Sequence, residues 1–322
     1  SSVIAKKKDI ILTKKKKILV TGGSGFIGST LVDMLVIQGY SVVVIDDLST
    51  GLESNHNESV TYFNRDLCSY IDHPKELIEI LSEFDIDTVY HLAASADVFL
   101  SINNPEMVYK INVLSSIALA KACKKTGVKK LIFASTSAVF GEPKYLPVDE
   151  DHDTNPISPY GLSKLGFEQY LNYFSIDTDI SITVFRLPNV YGPRQRPDLE
   201  GGVIAIFYDL MEQNRPIRMF GDGQQTRDWV YVDDIVNAFY KALKNNEKFN
   251  IFLLGSDTET SLNNLFACLV DVTGYKKDPQ YLDIRAGDIK SMVMTYSKAN
   301  QALDWTPGTT LSEGIAKLAM AN

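Results

Sequence analysis

A short apolar run, Ile18–Thr21, feeds directly into Gly22-Gly23-Ser24-Gly25-Phe26-Ile27-Gly28, and helical spacing then runs from Gly25 to Gln38 before Gly39 ends it. Few folds accept that order. A turn this tight needs positive φ, which glycine reaches without steric cost, and a backbone bare of side chains can approach a phosphate closely. The helix that follows would aim its free N–H groups and positive dipole end at the turn. The next β-branched run, Ser41–Ile45, ends in Asp46-Asp47. Glycines at 22, 25 and 28 between a strand and a helix, with an acid closing the second strand, read as a dinucleotide-binding turn. Asp46 lies 18 residues after Gly28. A carboxylate there accepts ribose hydroxyls and repels a 2′-phosphate, which favours NAD over NADP.

Strand and helix signals keep alternating after this unit. Val60–Phe63, Thr88–Leu92 and Lys130–Ser135 read as strands, while Pro74–Phe84 and Pro105–Lys125 read as helices, the second followed by Gly127. Apolar strands separated by helices predict a parallel sheet covered on both faces. A proline-rich loop follows, then a helix over Tyr160–Phe174 and a strand over Ile180–Leu187. Later signals are less regular: a helix near Gly202–Gln213, strands at Ile217–Phe220 and Trp229–Val232, and a helix at Asp234–Leu243. The expected class is α/β, a Rossmann-type doubly wound parallel sheet with a smaller mixed α/β substrate-binding lobe. The expected division is a basic extension at 1–16, a cofactor-binding domain mainly at 17–188, and a substrate lobe mainly at 189–322. Within the last, a stretch of about 228–255 returns to the sheet.

Composition narrows the function classes. The 322 residues allow one large domain or two modest ones. Net charge is −8, and the seven lysines and one aspartate of residues 1–17 leave −14 on the rest, which argues against nucleic-acid binding. No apolar run reaches the ~18 residues of a membrane helix. Cys68, Cys123 and Cys268 are far apart, without a CxxC, and read as reduced thiols of a cytoplasmic protein. The four histidines, His56, His73, His91 and His152, have no ligand spacing, so no metal is expected. Of eight arginines, seven lie between Arg186 and Arg285 (Arg186, Arg194, Arg196, Arg215, Arg218, Arg227, Arg285) in a chain with 24 lysines. Guanidinium suits bidentate phosphate recognition, so the second half is expected to hold a phosphorylated ligand.

Tyr160 and Lys164 stand at i and i+4 on the expected helix, hence on one face. An ammonium beside a phenol favours phenolate and should lower a pKa normally near ~10. Lys164 can also donate to a nicotinamide ribose. The strand ending in Ser135-Thr136-Ser137 precedes this pair.

The order TGGSGFIGS (21–29), IDDLSTG (45–51), HLAA (91–94), Asn112, ASTSAVFGE (134–142), SPYGLSK (158–164), FRLPNVYGPRQ (185–195), GDGQQTRDWVYVDDI (221–235) and RAGDI (285–289) resembles the extended short-chain dehydrogenases/reductases that modify nucleotide sugars. The likeness runs from about Lys17 to about Lys317. It implies an active site of Thr136, Tyr160 and Lys164. It implies an NAD pocket of Gly22, Gly25, Phe26, Ile27, Gly28, Asp46, Asp47, Ser49, Gly51, Asp66, Leu67, Leu92, Ala93, Ala94, Asn112, Ser135, Tyr160, Lys164 and Pro188. Substrate contacts would come from Thr136, Asn189, Val203, Arg218, Met219, Phe220, Arg227, Arg285 and Asp288, with Arg227 and Arg285 clamping the diphosphate. A homodimer through the long helices at 105–125 and 158–175 is implied as well.

The reaction follows from what stands after Thr136. The resembling 4,6-dehydratases carry an Asp-Glu pair there, which eliminates water, and decarboxylating relatives keep a Glu. Here the residues are Ser137-Ala138. The simplest remaining chemistry is 4-epimerisation of a nucleotide sugar through a transient 4-keto form. The segment 194–207 is similar to UDP-glucose 4-epimerases, so a UDP-hexose is the expected substrate: UDP-glucose/UDP-galactose or the N-acetyl equivalents. Alternatives are a UDP-glucuronate 4-epimerase, another nucleotide-sugar enzyme such as a dehydratase, or a catalytically silent dinucleotide sensor. By count from Arg285, Met292 falls where relatives control room for an N-acetyl group.

Overall fold

The computed structural model describes residues 16–199, 201–284 and 288–321. Its first unit is β1 (Lys17–Thr21), α1 (Phe26–Ile37), β2 (Ser41–Asp46) and β3 (Thr61–Asn64). Then come α2 (Lys75–Glu83), β4 (Thr88–His91), the short helices α3 (Val98–Asn103) and α4 (Pro105–Tyr109), α5 (Ser115–Thr126), β5 (Lys130–Thr136), α6 (Pro159–Ile176) and β6 (Ser181–Leu187). With β11 (Phe249–Leu253), contributed by the second half of the chain, these strands form one parallel seven-stranded sheet ordered β3-β2-β1-β4-β5-β6-β11.

Both faces are covered, and the strand sequences show why. Side chains alternate across a strand. Ile18 and Val20 of β1, with Val42 and Val44 of β2, enter one core with Leu31 and Leu35 of α1. Leu19, Val43 and Ile45 point the other way, into a core with Leu77 of α2, Leu119 of α5 and Phe167 of α6.

The remaining elements are β7 (Asn189–Tyr191), α7 (Val203–Glu212), β8 (Arg218–Phe220), β9 (Thr226–Arg227), β10 (Trp229–Tyr231), α8 (Val232–Lys241), β12 (Thr260–Ser261), α9 (Leu262–Thr273), β13 (Gln280–Leu282), α10 (Ser297–Leu303) and α11 (Leu311–Ala321). Helix α8 packs on the sheet through Ile235, Val236 and Phe239. A separate core of Phe207, Met211, Met219, Leu265, Leu269 and Ile315 holds the smaller lobe. Its strands make two-stranded ladders, β7 with β10, β9 with β12, and β8 with β13.

The long helix expected over 105–125 is interrupted. Residues Lys110–Leu114 form a π-turn between α4 and α5. Single π-turns insert an extra residue into a helix and often mark functional positions. This one presents Asn112, whose Oδ1 accepts from Ser95 N at 2.8 Å and whose Nδ2 donates to Ser95 O and Ser163 Oγ, both at 2.9 Å.

Candidate active site

The glycine turn is built from backbone contacts that side chains would forbid. Gly22 has φ +72°, and a Cβ there would stand 2.7 Å from Ala93 N. Gly28 lies in the first turn of α1, where a Cβ would meet Gly22 O at 2.0 Å. Helix α1 begins after Gly25 without a side-chain cap, so its first-turn N–H groups are open to an anion.

Asp46 closes the turn from β2. Its Oδ2 accepts from Ser24 N and its Oδ1 from Leu48 N, each at 2.9 Å. An ionised carboxylate has roughly four acceptor positions, so ribose hydroxyls can still be taken. Gly51 packs here too, since a Cβ would sit 3.0 Å from Asp46 Oδ1. Asp47 accepts from Ser49 N at 2.9 Å and Ser49 Oγ at 2.5 Å, which shapes the exposed loop. Asp66 accepts from Cys68 N at 2.8 Å and caps the turn that buries Leu67.

Under the turn, Leu92 N and Ala93 N donate to Thr21 Oγ1, both at 3.2 Å, which fixes the segment leading to Ala94. His91 joins Thr21 Oγ1 to Ser116 Oγ, at 2.7 Å on each side. Burial, with the nearby Lys164, pushes His91 down to about 3, so it stays neutral and serves as a brace.

The catalytic trio stands where β5 ends beside α6. Ser158 caps α6 by accepting from Gly161 N at 3.1 Å, and Pro159 takes the first helical position. Gly161 lets the helix approach the turn after β5, for a Cβ would lie 2.5 Å from Ala138 O. The Thr136 hydroxyl acts on the Tyr160 phenol and favours its ionised form. Lys164 is buried and donates from Nζ to Ala134 O at 2.9 Å.

One expectation is corrected. The Tyr160 phenol was to be lowered by Lys164, yet burial raises it, and the Thr136 hydrogen bond only partly offsets this. Burial also brings Lys164 down to about 7, against a pull upward from Glu168. Desolvation of both groups outweighs what helical spacing alone suggests. Ser135 is also committed elsewhere: its Oγ donates to Glu168 Oε1 at 2.5 Å.

Across the cleft, Pro188 links β6 to β7, and Asn189 N donates to Asp228 O at 3.1 Å. Arg227 is held by burial below its usual value, while Asp288 and Glu142 pull it up, so both carboxylates act on this guanidinium. On β8 the side chains alternate: Arg218 is exposed, Met219 is in the lobe core, and Phe220 is half-buried. Val203 opens α7, which lacks a side-chain cap. Arg285 lies outside the described residues. Met292 is buried with Val139 and Phe140, behind the turn that follows Thr136.

Sequence reading missed two buried carboxylates. Glu168 pairs with Arg186 Nη2 at 2.7 Å. Asp228 accepts from Ser256 N at 3.1 Å, Ser256 Oγ at 2.5 Å and Met294 N at 3.0 Å. Glu168 follows Lys164 by one turn, and Asp228 follows Arg227 directly; those positions were the available signal. Arg194 reaches Asp33 on α1 at 2.7 Å, and Arg196 bonds Thr50 O at 3.0 Å as well as Asp198. A cavity of about 180 Å³ lies beneath them, against Gly25 and Phe26. A larger hollow of about 460 Å³, beside His73 and Lys75, contains none of these residues.

Among the described residues no cluster of three or more His, Cys, Asp or Glu is arranged for a metal, and no helix is long and apolar enough to cross a membrane. A dinucleotide turn on a doubly wound sheet, with Tyr and Lys one helical turn apart beside the end of β5, defines a short-chain dehydrogenase/reductase. The chain belongs to the NAD dependent epimerase/dehydratase family, whose model matches residues 18–255. NAD is its cofactor, and the glycine turn with Asp46 fits that group.

Among similar proteins is a putative UDP-glucose 4-epimerase of Methanocaldococcus jannaschii, 41% identical over 94% of this chain and 96% of its own. The crystal structure of Thermotoga maritima UDP-glucose 4-epimerase with UDP-glucose superposes with a TM-score of 0.91 at 40% identity, covering 95% of this chain and 98% of that one. A UDP-N-acetylglucosamine 4-epimerase from Methanobrevibacter ruminantium, in complex with UDP-N-acetylmuramic acid, superposes with a TM-score of 0.89 at 33% identity, covering 96% and 98%.

Proposed function

We propose that this protein is an NAD-dependent isomerase that inverts C4 of a UDP-hexose. The observation that carries the reading is the turn Ser137–Val139 after Thr136. It brings no carboxylate to the place where elimination of water would need an acid and a base. NAD, held by the glycine turn and Asp46, would supply the hydride acceptor and donor for C4. Tyr160 accepts the proton of the sugar 4-hydroxyl and later gives it back to the 4-keto oxygen. Thr136 orients that oxygen and the phenol. Turning the keto sugar over between the two transfers inverts the centre, with no net redox change and no further base.

In this reading residues 17–188 mainly hold NAD and 189–322 mainly hold the nucleotide sugar. Arg227 and Arg285 take the diphosphate, with Asn189, Val203, Arg218, Met219, Phe220 and Asp288 around the nucleotide. The relatives named for UDP-glucose and UDP-N-acetylglucosamine support a UDP-hexose. Incubation with UDP-galactose, UDP-N-acetylgalactosamine and UDP-galacturonate, with products identified by NMR, tests it. A 4-epimer of the first or second supports the hexose reading, of the third alone the uronate alternative. No epimer of any refutes epimerisation, and a stable 4-keto-6-deoxy product would make the protein a dehydratase.

The working unit in this reading is a homodimer. Leu162, Tyr173 and Ile176 of α6 are exposed, as are Ile102, Tyr109 and Leu114 on the helices packed beside it. Exposed apolar side chains on neighbouring helices favour a partner, and here a second copy would supply the matching stripe. The three free thiols fit a reducing cytoplasm.

A further inference from the structure

Three consecutive residues at the end of β5 each engage the catalytic helix. Ala134 O accepts from Lys164 Nζ at 2.9 Å, Ser135 Oγ donates to Glu168 Oε1 at 2.5 Å, and the Thr136 hydroxyl acts on the Tyr160 phenol. Two of the α6 residues belong to the acid–base site; the third, Glu168, has no part in it so far. Glu168 is 1% exposed and binds Arg186 through Nη2 at 2.7 Å and Nε at 3.1 Å. A buried ion pair is weak evidence for stability, since two apolar residues of like volume often serve as well. The placement of this carboxylate one turn below Lys164 suggests a different reason for it.

We propose that Glu168 is a positioning residue of the active site, which keeps the Lys164 ammonium charged and in register with the end of β5. The proposal rests on the reading of Lys164 as partner of the Tyr160 acid–base group. Two cations, Lys164 and Arg186, are buried around this one carboxylate. The surroundings of Lys164 offer little else to stabilise charge. From β4 comes His91, which is neutral; from β5 come the Phe133 ring, 4.8 Å from Nζ, and the Ala134 carbonyl; from α6 itself comes the Tyr160 phenol, one turn earlier; from β6 comes Arg186, paired with Glu168. Glu168 is the carboxylate that opposes the loss of the lysine proton through burial. Ser135 fixes where that carboxylate stands, so strand and helix cannot slide without breaking the bond.

The test compares Glu168→Gln, Glu168→Gln with Arg186→Met, and Ser135→Ala in the NAD-loaded enzyme on the UDP-sugar it turns over. Glu168→Gln should lower kcat at unchanged KM and move the alkaline limb of kcat down by roughly one pH unit. The double variant removes the orphaned guanidinium; it should recover thermal stability but keep the shifted limb. Ser135→Ala keeps the charge, so kcat should fall a few-fold with the limb in place.

A second readout needs no activity. Lys164 has a folded pKa lowered below the unfolded ~10.4, so the folded state binds fewer protons between the two values and stability rises with pH there. In NAD-free Glu168→Gln, that rise in Tm should begin at lower pH. An unmoved limb and Tm profile in Glu168→Gln would overturn the proposal. So would a wild-type limb in the double variant, or a shifted one in Ser135→Ala. If the wild type made no 4-epimer, the functional reading would fall, while the Tm profile would still decide whether Glu168 supports Lys164.

Discussion

Alanine at position 28 separates the glycine turn from helix propensity. Inside a helix, Gly→Ala ordinarily stabilises by about 1 kcal/mol. Here the added Cβ would lie 2.0 Å from Gly22 O and 2.8 Å from Gly22 C, both backbone, and real Cβ atoms stay beyond 3.0 Å. The turn must therefore open by at least about 1 Å, the difference between those distances. Overpacking of this kind costs ~1–3 kcal/mol, and a backbone clash this deep belongs at the upper end, so after the helix gain the net loss is about 2 kcal/mol, or roughly 3 °C in Tm for the NAD-free protein. In the proposed site the displaced backbone is the one that would face the pyrophosphate. Loss of one hydrogen bond to a charged group, worth ~1.5–3 kcal/mol, weakens NAD binding roughly 10–100-fold. Gly25→Ala is the contrast. Its nearest neighbour would be Gly22 O at 3.4 Å, and its φ is −80°, so the protein tolerates the methyl while the approaching pyrophosphate does not. NAD released from purified protein, NAD titration calorimetry, and Tm after NAD removal read both variants. Gly28→Ala should lose cofactor and Tm; Gly25→Ala should lose cofactor with a much smaller change in Tm. Wild-type NAD content and Tm in Gly28→Ala would refute the reasoning.

Tyr160→Phe should cut kcat by roughly 10²–10⁴-fold while the purified protein keeps its NAD, and near-normal turnover would remove the phenol from the chemistry. Asp228 is raised by burial to about 6. Its unfolded value is ~3.9, so the folded state holds the extra proton between the two and stability from this group falls as pH rises through that window. The Tm of wild type minus that of Asp228→Asn should accordingly decline between about pH 4 and pH 6 and stay flat above; a difference constant from pH 4 to 8 contradicts it. Tyr173→Asp with Ile176→Asp should turn the dimer into a monomer in sedimentation experiments, and an unchanged mass would move the interface elsewhere.

The fold was legible because its signals are local. Alternation of Ile18, Leu19 and Val20 already says that β1 is covered on both faces, and the glycine spacing says what its end must do. Tyr160 and Lys164 were likewise found by helical spacing. The direction of their pKa shifts was not, because burial depends on what Thr136, Ala134 and the cleft place around them. The π-turn at Asn112 escaped for the same reason. Its partners Ser95 and Ser163 are 17 and 51 residues away, and no helical periodicity records them. Glu168 and Asp228 carry no spacing that marks them as buried. Only the fold shows that one lies under Lys164 and that the other ties Ser256 and Met294 to the strand beside Arg227.

The arginine concentration in the second half has more than one cause. Arg186 grips Glu168 through two nitrogens, a planar fork that a lysine cannot reproduce. Arg194 and Arg196 leave the second half altogether and bind Asp33 and Thr50 of the first, beside the glycine turn. These three therefore join strands and lobes around the cofactor cleft, and their chemistry is that of carboxylates and carbonyls of the protein itself. Arg227 differs, for it is partly buried and the acids acting on it, Asp288 and Glu142, are exposed side chains that leave its charge available to a diphosphate. An acidic protein can thus bind two pyrophosphates by different means. In the proposed reading the first half would use bare backbone and a helix end, which need no cation, and the second a desolvated guanidinium, whose attraction is stronger for being out of water.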